Sequence, residues 1–160
     1  LEAAARAFIA GGYEGTSIDD LVKALNLHRG SLYKAFGSKR GLFLATLRHY
    51  VSARLPHLLQ SASASGTSID VLTQRRDLDL LLIAAVERGD RDAEVAALVR
   101  EALGLLERAS DKCGDHAWSE PPADRPARAI ALLGTRLYER LHDDAWGTSD
   151  RQHQPITKET

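Results

Sequence analysis

The chain has 160 residues, with 21 basic and 22 acidic side chains, a formal net charge of −1 and an apolar fraction of 44%. That length allows one ordinary domain or a small one plus a medium one, and that apolar fraction excludes global disorder. The one cysteine, Cys113, excludes an intrachain disulfide and fits a reducing cytosol, and the longest apolar run, residues 80–86, is far too short to span a membrane.

Residues 1–10 are alanine-rich, with Leu1, Ala4, Ala5, Phe8 and Ile9 at helical spacing, and Gly11 and Gly12 end that helix. Thr16 or Ser17 caps the next helix, which carries Asp19 and Asp20 in its first turn and the apolar stripe Ile18, Leu21, Val22 and Leu25. Asn26 tolerates the left-handed backbone of a sharp helix exit, and Leu27 plugs the corner. Residues 28–36 form a short third helix stopped by Gly37. Ser38 caps a fourth through Leu42, Phe43, Leu47 and Val51, interrupted near Pro56.

Residues 61–68 are of low complexity and read as a loop or hinge. Residues 77–88 are apolar nearly all round, the pattern of a buried helix, and Gly89 and Asp90 break it. Residues 92–112 are amphipathic, with Val95, Leu98, Val99, Ala102, Leu105 and Leu106 on one side. A loop with Pro121 and Pro122 precedes a last helix over 126–146 with Ile130, Leu133, Leu137 and Leu141 inward. Gly104 and Gly134 fit close helix packing. No alternating strand pattern of useful length occurs, so the expected class is all-α.

Charge is segregated along the chain. Residues 21–69 contain no aspartate or glutamate but carry Lys23, Arg29, Lys34, Lys39, Arg40, Arg48 and Arg54. Such a run fits an anionic partner or a plain solvated face. The pattern inside it decides for nucleic acid: a bracing helix over 16–25, a turn at Asn26 and Leu27, and a reading helix from His28. At about 100° per residue, Leu32 and Phe36 share the inner side of that helix. Gly30, Ser31, Tyr33 and Lys34 fall on the outer arc, with Arg29 at its edge. Gly30 lets the backbone approach a groove, Arg29 can donate two hydrogen bonds to guanine, and Ser31 suits several bases. Tyr33 and Lys34 reach bases or phosphates. The backbone N–H groups behind Ser38 can hold a phosphate, with Lys39 beside them.

The run from Tyr13 through Glu14, Gly15, Thr16, Ser17, Ile18, Asp19 and Asp20 to Leu21, with Gly30, Ser31, Leu32, Tyr33, Phe36 and Lys39, resembles the DNA-binding domain of the TetR family of bacterial repressors. The resemblance implies a three-helix helix-turn-helix domain over 1–45, then a helical ligand-binding and dimerisation domain over 46–146; residues 147–160 read as a polar tail. It implies a homodimer on a palindromic operator in double-stranded DNA, with Thr16, Ser17, His28, Arg29, Gly30, Ser31, Tyr33, Lys34 and Lys39 facing DNA. A bacterial cytoplasmic location at the nucleoid follows. Asn26 stands where the family usually has glycine, His28 where it has a capping serine, and Arg40 with Gly41 where an acidic residue follows the lysine. The chain starts at Leu1 without any methionine, so further residues before Leu1 are expected.

In the second half, Leu82, Val86, Leu105, Trp118, Tyr138 and His142 are candidates to line a pocket for a small hydrophobic inducer; a plain core or dimer role fits the aromatic residues and His142 as well. The six histidines show no metal-ligand spacing, so no metal site is expected. No phosphate-binding glycine loop or nucleophile motif appears, and Asp143 and Asp144 point apart on a helix, so neither a cofactor nor an enzyme is expected. The expected function is a DNA-binding transcriptional regulator, a repressor released by an inducer. The alternative is a DNA-tethered interaction factor that senses no ligand.

Overall fold

Gly12 sets the shape of the N-terminal end. In a computed structural model, which describes residues 1–65, 78–113, 130–131 and 133–137, helix α1 spans Glu2–Gly15 but is kinked at Gly12, where φ is 72° and ψ 173°. That region is strained for any residue with a Cβ. A Cβ there would also meet the Glu87 carboxylate at 2.6 Å. The helix therefore does not simply end at the glycine pair; it bends and continues one turn.

Helix α2, Ile18–Leu25, begins at Ser17, whose hydroxyl accepts from the Asp20 N–H at 3.1 Å while the Asp20 carboxylate accepts from the Ser17 N–H at 2.9 Å. This reciprocal capping box assigns the cap to Ser17 rather than Thr16. Asn26 is left-handed, with φ 51° and ψ 47°, and ends α2 as its sequence indicates. Helix α3, Arg29–Phe36, starts behind His28, whose side chain makes no capping bond, and stops at Gly37 with φ 73°. Helix α4, Lys39–His49, is capped by the Ser38 hydroxyl, which accepts from the Gly41 N–H at 3.0 Å.

Pro56 does not interrupt the helical path. The chain widens into π turns over Tyr50–Arg54 and enters α5, Leu55–Ala64, with all its flanking backbone helical. The Leu55 N–H bonds the carbonyl of Tyr50, five residues back. A wider turn is one way to seat a proline ring that would crowd the carbonyl four residues earlier. Helix α5 also takes in Ser61 to Ala64, so the expected loop begins no earlier than Ser65. Helix α6, Asp79–Ile83, continues into π turns over Ala84–Arg88, and α7 spans Ala93–Cys113. Residues 130–131 and 133–137 are helical. No strand occurs among the described residues, in keeping with an all-α chain.

One continuous core joins the elements. Phe8, Leu21, Leu32, Leu42, Phe43 and Leu47 fill the N-terminal end, and Val51, Leu55, Leu80, Leu81, Val95 and Leu106 carry it onward. Phe43 meets Phe8 and Tyr13 edge-on, each at 4.9 Å between ring centres. Helix α1 packs on α2, α4 and α6, and α7 packs on α4 and α5. The helix running from Lys39 crosses the expected 45/46 domain boundary.

Three side-chain expectations need correction. Leu27 is 38% exposed, so it does not plug the α2–α3 corner. Ile130 and Leu137 are exposed while Leu133 alone of that stripe is buried among the described residues. Inward there instead is Arg136, paired with Asp79, both fully buried. Gly134 faces open space, and a Cβ at Gly104 would meet only the Arg108 side chain of its own helix, so neither glycine marks a close helix contact.

Candidate nucleic-acid interface

Helix α3 is held by one fully buried side chain, Leu32, with Phe36 half-buried against the same core. At helical spacing that leaves Arg29, Gly30, Ser31, Tyr33 and Lys34 outward, and all five are exposed. Tyr33 keeps 43% of its surface in solvent, a large aromatic that the core does not claim. Nothing lies within 4 Å of where a Gly30 Cβ would stand, so the helix backbone is open there. His28 and Ser17 are also exposed, at the starts of α3 and α2.

Thr16 and Lys39 sit differently. Thr16 is buried, and its hydroxyl donates to the carbonyl of Gly12 at 2.6 Å. It ties the kink in α1 to the start of α2 and faces inward rather than toward a ligand. Lys39 Nζ lies 4.6 Å above the Tyr13 ring and donates to the Glu14 carbonyl at 3.3 Å. Its charge is thus held at the α1–α4 junction, close to the N-terminus of α4.

The acid-free run does not stay free of acids in space. Arg29 Nη2 bonds Asp19 Oδ1 at 2.7 Å, and this carboxylate raises the guanidinium pKa above its ordinary value. Arg40 donates to both Asp92 oxygens, at 2.6 and 2.8 Å, and to Glu94 at 2.9 Å. Arg48 donates to the other Glu94 oxygen at 2.6 Å. Two of the seven cations, Arg40 and Arg48, thus join α4 to the start of α7 and are engaged before any partner arrives. Lys34 has no ion pair among the described residues.

A second set of contacts closes the same joint. The Glu14 N–H donates to Glu87 Oε2 at 2.9 Å. Arg88 lies 4.8 Å from the Tyr13 ring centre and 3.5 Å from Asp92. Burial pushes the Tyr13 phenol pKa up, against the opposing pull of Arg88. Sequence reading missed this joint because nearly all of its partners lie 46 to 75 residues apart. Only Asp92 left a local trace, an aspartate just ahead of a helix. It does act as a cap, accepting from the Glu94 and Val95 N–H groups at 3.2 and 3.4 Å.

Asp92 carries a measurable consequence. Its side chain is 2% exposed, and the Arg40 hydrogen bonds hold its carboxyl well below the usual carboxylate range. A folded-state pKa lowered in this way stabilises the protein at pH values above the unfolded value, about 4. That stability is lost as pH falls below about 4 toward the lowered folded value. Asp92→Ala is expected to cost about 2 kcal/mol at neutral pH, the sum of a lost cap and a half-exposed ion pair. It should also flatten the acid limb of the stability curve, which urea unfolding between pH 7 and 3 would measure.

Three of the expected pocket residues, Leu82, Val86 and Leu105, fall among the described residues. Leu82 is core, Val86 is 61% exposed, and Trp118, Tyr138 and His142 lie outside the described residues. Leu105 does line a half-open cavity of about 460 Å³ between α5 and α7, with Leu59, Ser63, Arg108 and Ala109. No cluster of three metal-ligating side chains occurs among the described residues, and no described helix is long and apolar enough to cross a membrane.

Residues 1–46 match the family described as bacterial regulatory proteins, tetR family. The chain is 37% identical over 111 residues to the uncharacterized HTH-type transcriptional regulator YezE of Bacillus subtilis, covering 61% of this chain and 57% of that one. It is 32% identical over 63 residues to the biofilm operon icaADBC HTH-type negative transcriptional regulator IcaR of Staphylococcus aureus, covering 39% and 34%. The chain thus spans about half, or less, of the length of these curated relatives. In fold it is similar to a crystal structure assigned to a TetR-family transcriptional regulator from Mesorhizobium loti, with a TM-score of 0.55 at 19% identity, covering 95% of this chain and 84% of that one.

Proposed function

We propose, for a chain that belongs to the TetR family of bacterial regulatory proteins, that it is a repressor of transcription that binds a palindromic operator as a homodimer and leaves it when a small hydrophobic inducer binds. The family is one of regulators, not enzymes. The observation that carries the reading is the outward face of α3: five exposed residues on a helix anchored by Leu32, with an unclaimed tyrosine beside a lysine that has no ion pair among the described residues. That face suits a major groove, which admits a helix and presents base edges. Ser17, His28 and Lys39 would flank it at phosphates, and Thr16 would shape the approach from inside. Negative regulation is drawn from IcaR, a negative transcriptional regulator.

The rest of the chain supports the finer parts. Exposed Ile130 and Leu137, seven residues apart on one helical face, would suit a second copy. The cavity at Leu105 is within the usual size range for a small ligand, and its mainly apolar lining, with Gln60, Ser63 and Arg108 as polar groups, suits a hydrophobic inducer with a polar end. An inducer there could shift α7 against α5. The bonds from Asp92 and Glu94 to Arg40 and Arg48 would carry that shift to α4 and so to the spacing of the two reading helices.

Selection of duplexes from a randomised double-stranded library tests the reading. The expected product is a palindrome with half-sites separated by about 34–36 Å, one helical turn, or a multiple of it. Recovery of unselected sequence would count against it.

A further inference from the structure

The ion pair between Asp19 and Arg29 has no explanation in stability. Arg29 is the first residue of α3 and Asp19 the second of α2, and their ion pair at 2.7 Å is 57% and 68% exposed. Exposed pairs of this kind contribute little to folding. On a surface meant for a polyanion, a carboxylate is a liability: it repels phosphates and offsets the attraction of the arginine beside it. Its place in the first turn of α2 suits the helix dipole, but its bond to Arg29 asks for a further account.

The guanidinium has five N–H donors in a planar fork. Asp19 Oδ1 takes one, at Nη2. The remaining donors are free to meet the two acceptors, O6 and N7, that guanine shows in the major groove. A long side chain held in this way has less rotamer freedom left to lose on binding. The neighbouring negative charge also weakens any unspecific hold of Arg29 on a phosphate. Lys34, on the same face, has no ion pair among the described residues, so it is suited to sequence-independent phosphate contact.

We propose that Asp19 is a specificity-determining positioning residue: it orients the Arg29 fork toward a guanine edge and suppresses its binding to phosphates. This rests on the DNA-binding reading above. Asp19 acts through Arg29 and is not itself required to touch a base.

The test compares wild type, Asp19→Ala, Asp19→Glu, Arg29→Ala and the Asp19→Ala/Arg29→Ala pair. Each is used for selection from a randomised duplex library and for titration of the wild-type selected duplex and a scrambled duplex. Asp19→Ala is expected to lose the guanine preference at one symmetric position of each half-site. Its ratio of selected to scrambled affinity should fall about tenfold, at the lower end of what a good two-bond guanine contact discriminates. Its affinity for the scrambled duplex should rise. Asp19→Glu should recover part of the guanine preference, and in the Arg29→Ala background removing Asp19 should change the ratio no further. The proposal is overturned, with DNA binding intact, if Asp19→Ala selects the wild-type site at the wild-type ratio. It is equally overturned if Asp19→Ala still lowers the ratio when Arg29 is absent. A wild type that selects no sequence at all would remove the DNA-binding reading and this proposal together.

Discussion

Replacing Arg136 with methionine is expected to lower the unfolding free energy by about 3–5 kcal/mol, the usual cost of breaking a buried ion pair from one side. Arg136 donates through Nε and Nη2 to the two oxygens of Asp79, the latter at 3.1 Å, and both side chains are 2% exposed. Methionine fills much of the arginine volume but takes the Arg136 charge away from the buried Asp79 carboxylate. The penalty belongs to losing the Arg136 charge beside a buried carboxylate, not to the pair as such. Asp79→Leu/Arg136→Met, which removes both charges and keeps the volume, should therefore recover most of the loss. Urea unfolding at neutral pH measures both. A single variant within about 1 kcal/mol of wild type, below the range for a buried pair, would show that the charges do not depend on each other.

Tyr33→Ala/Lys34→Ala is expected to weaken binding to the selected duplex about 100-fold, with roughly 1–2 kcal/mol from each side chain removed. Both side chains are exposed and neither belongs to the core, so thermal stability should change little. The two losses differ in kind. Loss of Lys34 should act alike on all sequences and reduce the salt slope by about 1, whereas loss of Tyr33 should leave that slope in place. Fluorescence anisotropy across a salt series separates them. Wild-type affinity in the double variant would move the interface away from α3.

The N-terminal end was legible because its signals are local. A capping serine with an aspartate three residues on, an asparagine that accepts a left-handed backbone, and a leucine at the inner position of a short helix each act within a few residues. They specify α2, the turn and α3 directly. Pro56 misled because proline is read against the regular helix, while the chain here widens into π turns just ahead of it. The run 61–64 misled because its alternating alanines and serines are polar enough for a loop yet tolerable in a helix. Arg136 escaped notice since its partner lies 57 residues away, beyond any periodic pattern.

The charge pattern was read correctly in sign and too broadly in extent. Residues 21–69 lack acids in sequence, but Asp19, Asp92 and Glu94 reach Arg29, Arg40 and Arg48 in space. Arg40 and Arg48 thus join α4 to the start of α7, and Arg29 is paired with Asp19. In the proposed function, Lys34, Lys39 and Arg29 are the cations that would meet DNA, together with the exposed Tyr33.

The most direct test of the DNA-binding account is the salt dependence of wild-type binding to the selected duplex. Neutralising about two phosphates per subunit with Lys34 and Lys39 should give a slope of log affinity against log salt near −2 per subunit, or about −4 for a dimer. A flat response between low and physiological salt would contradict the account, leaving α3 a solvated surface with no nucleic acid to read.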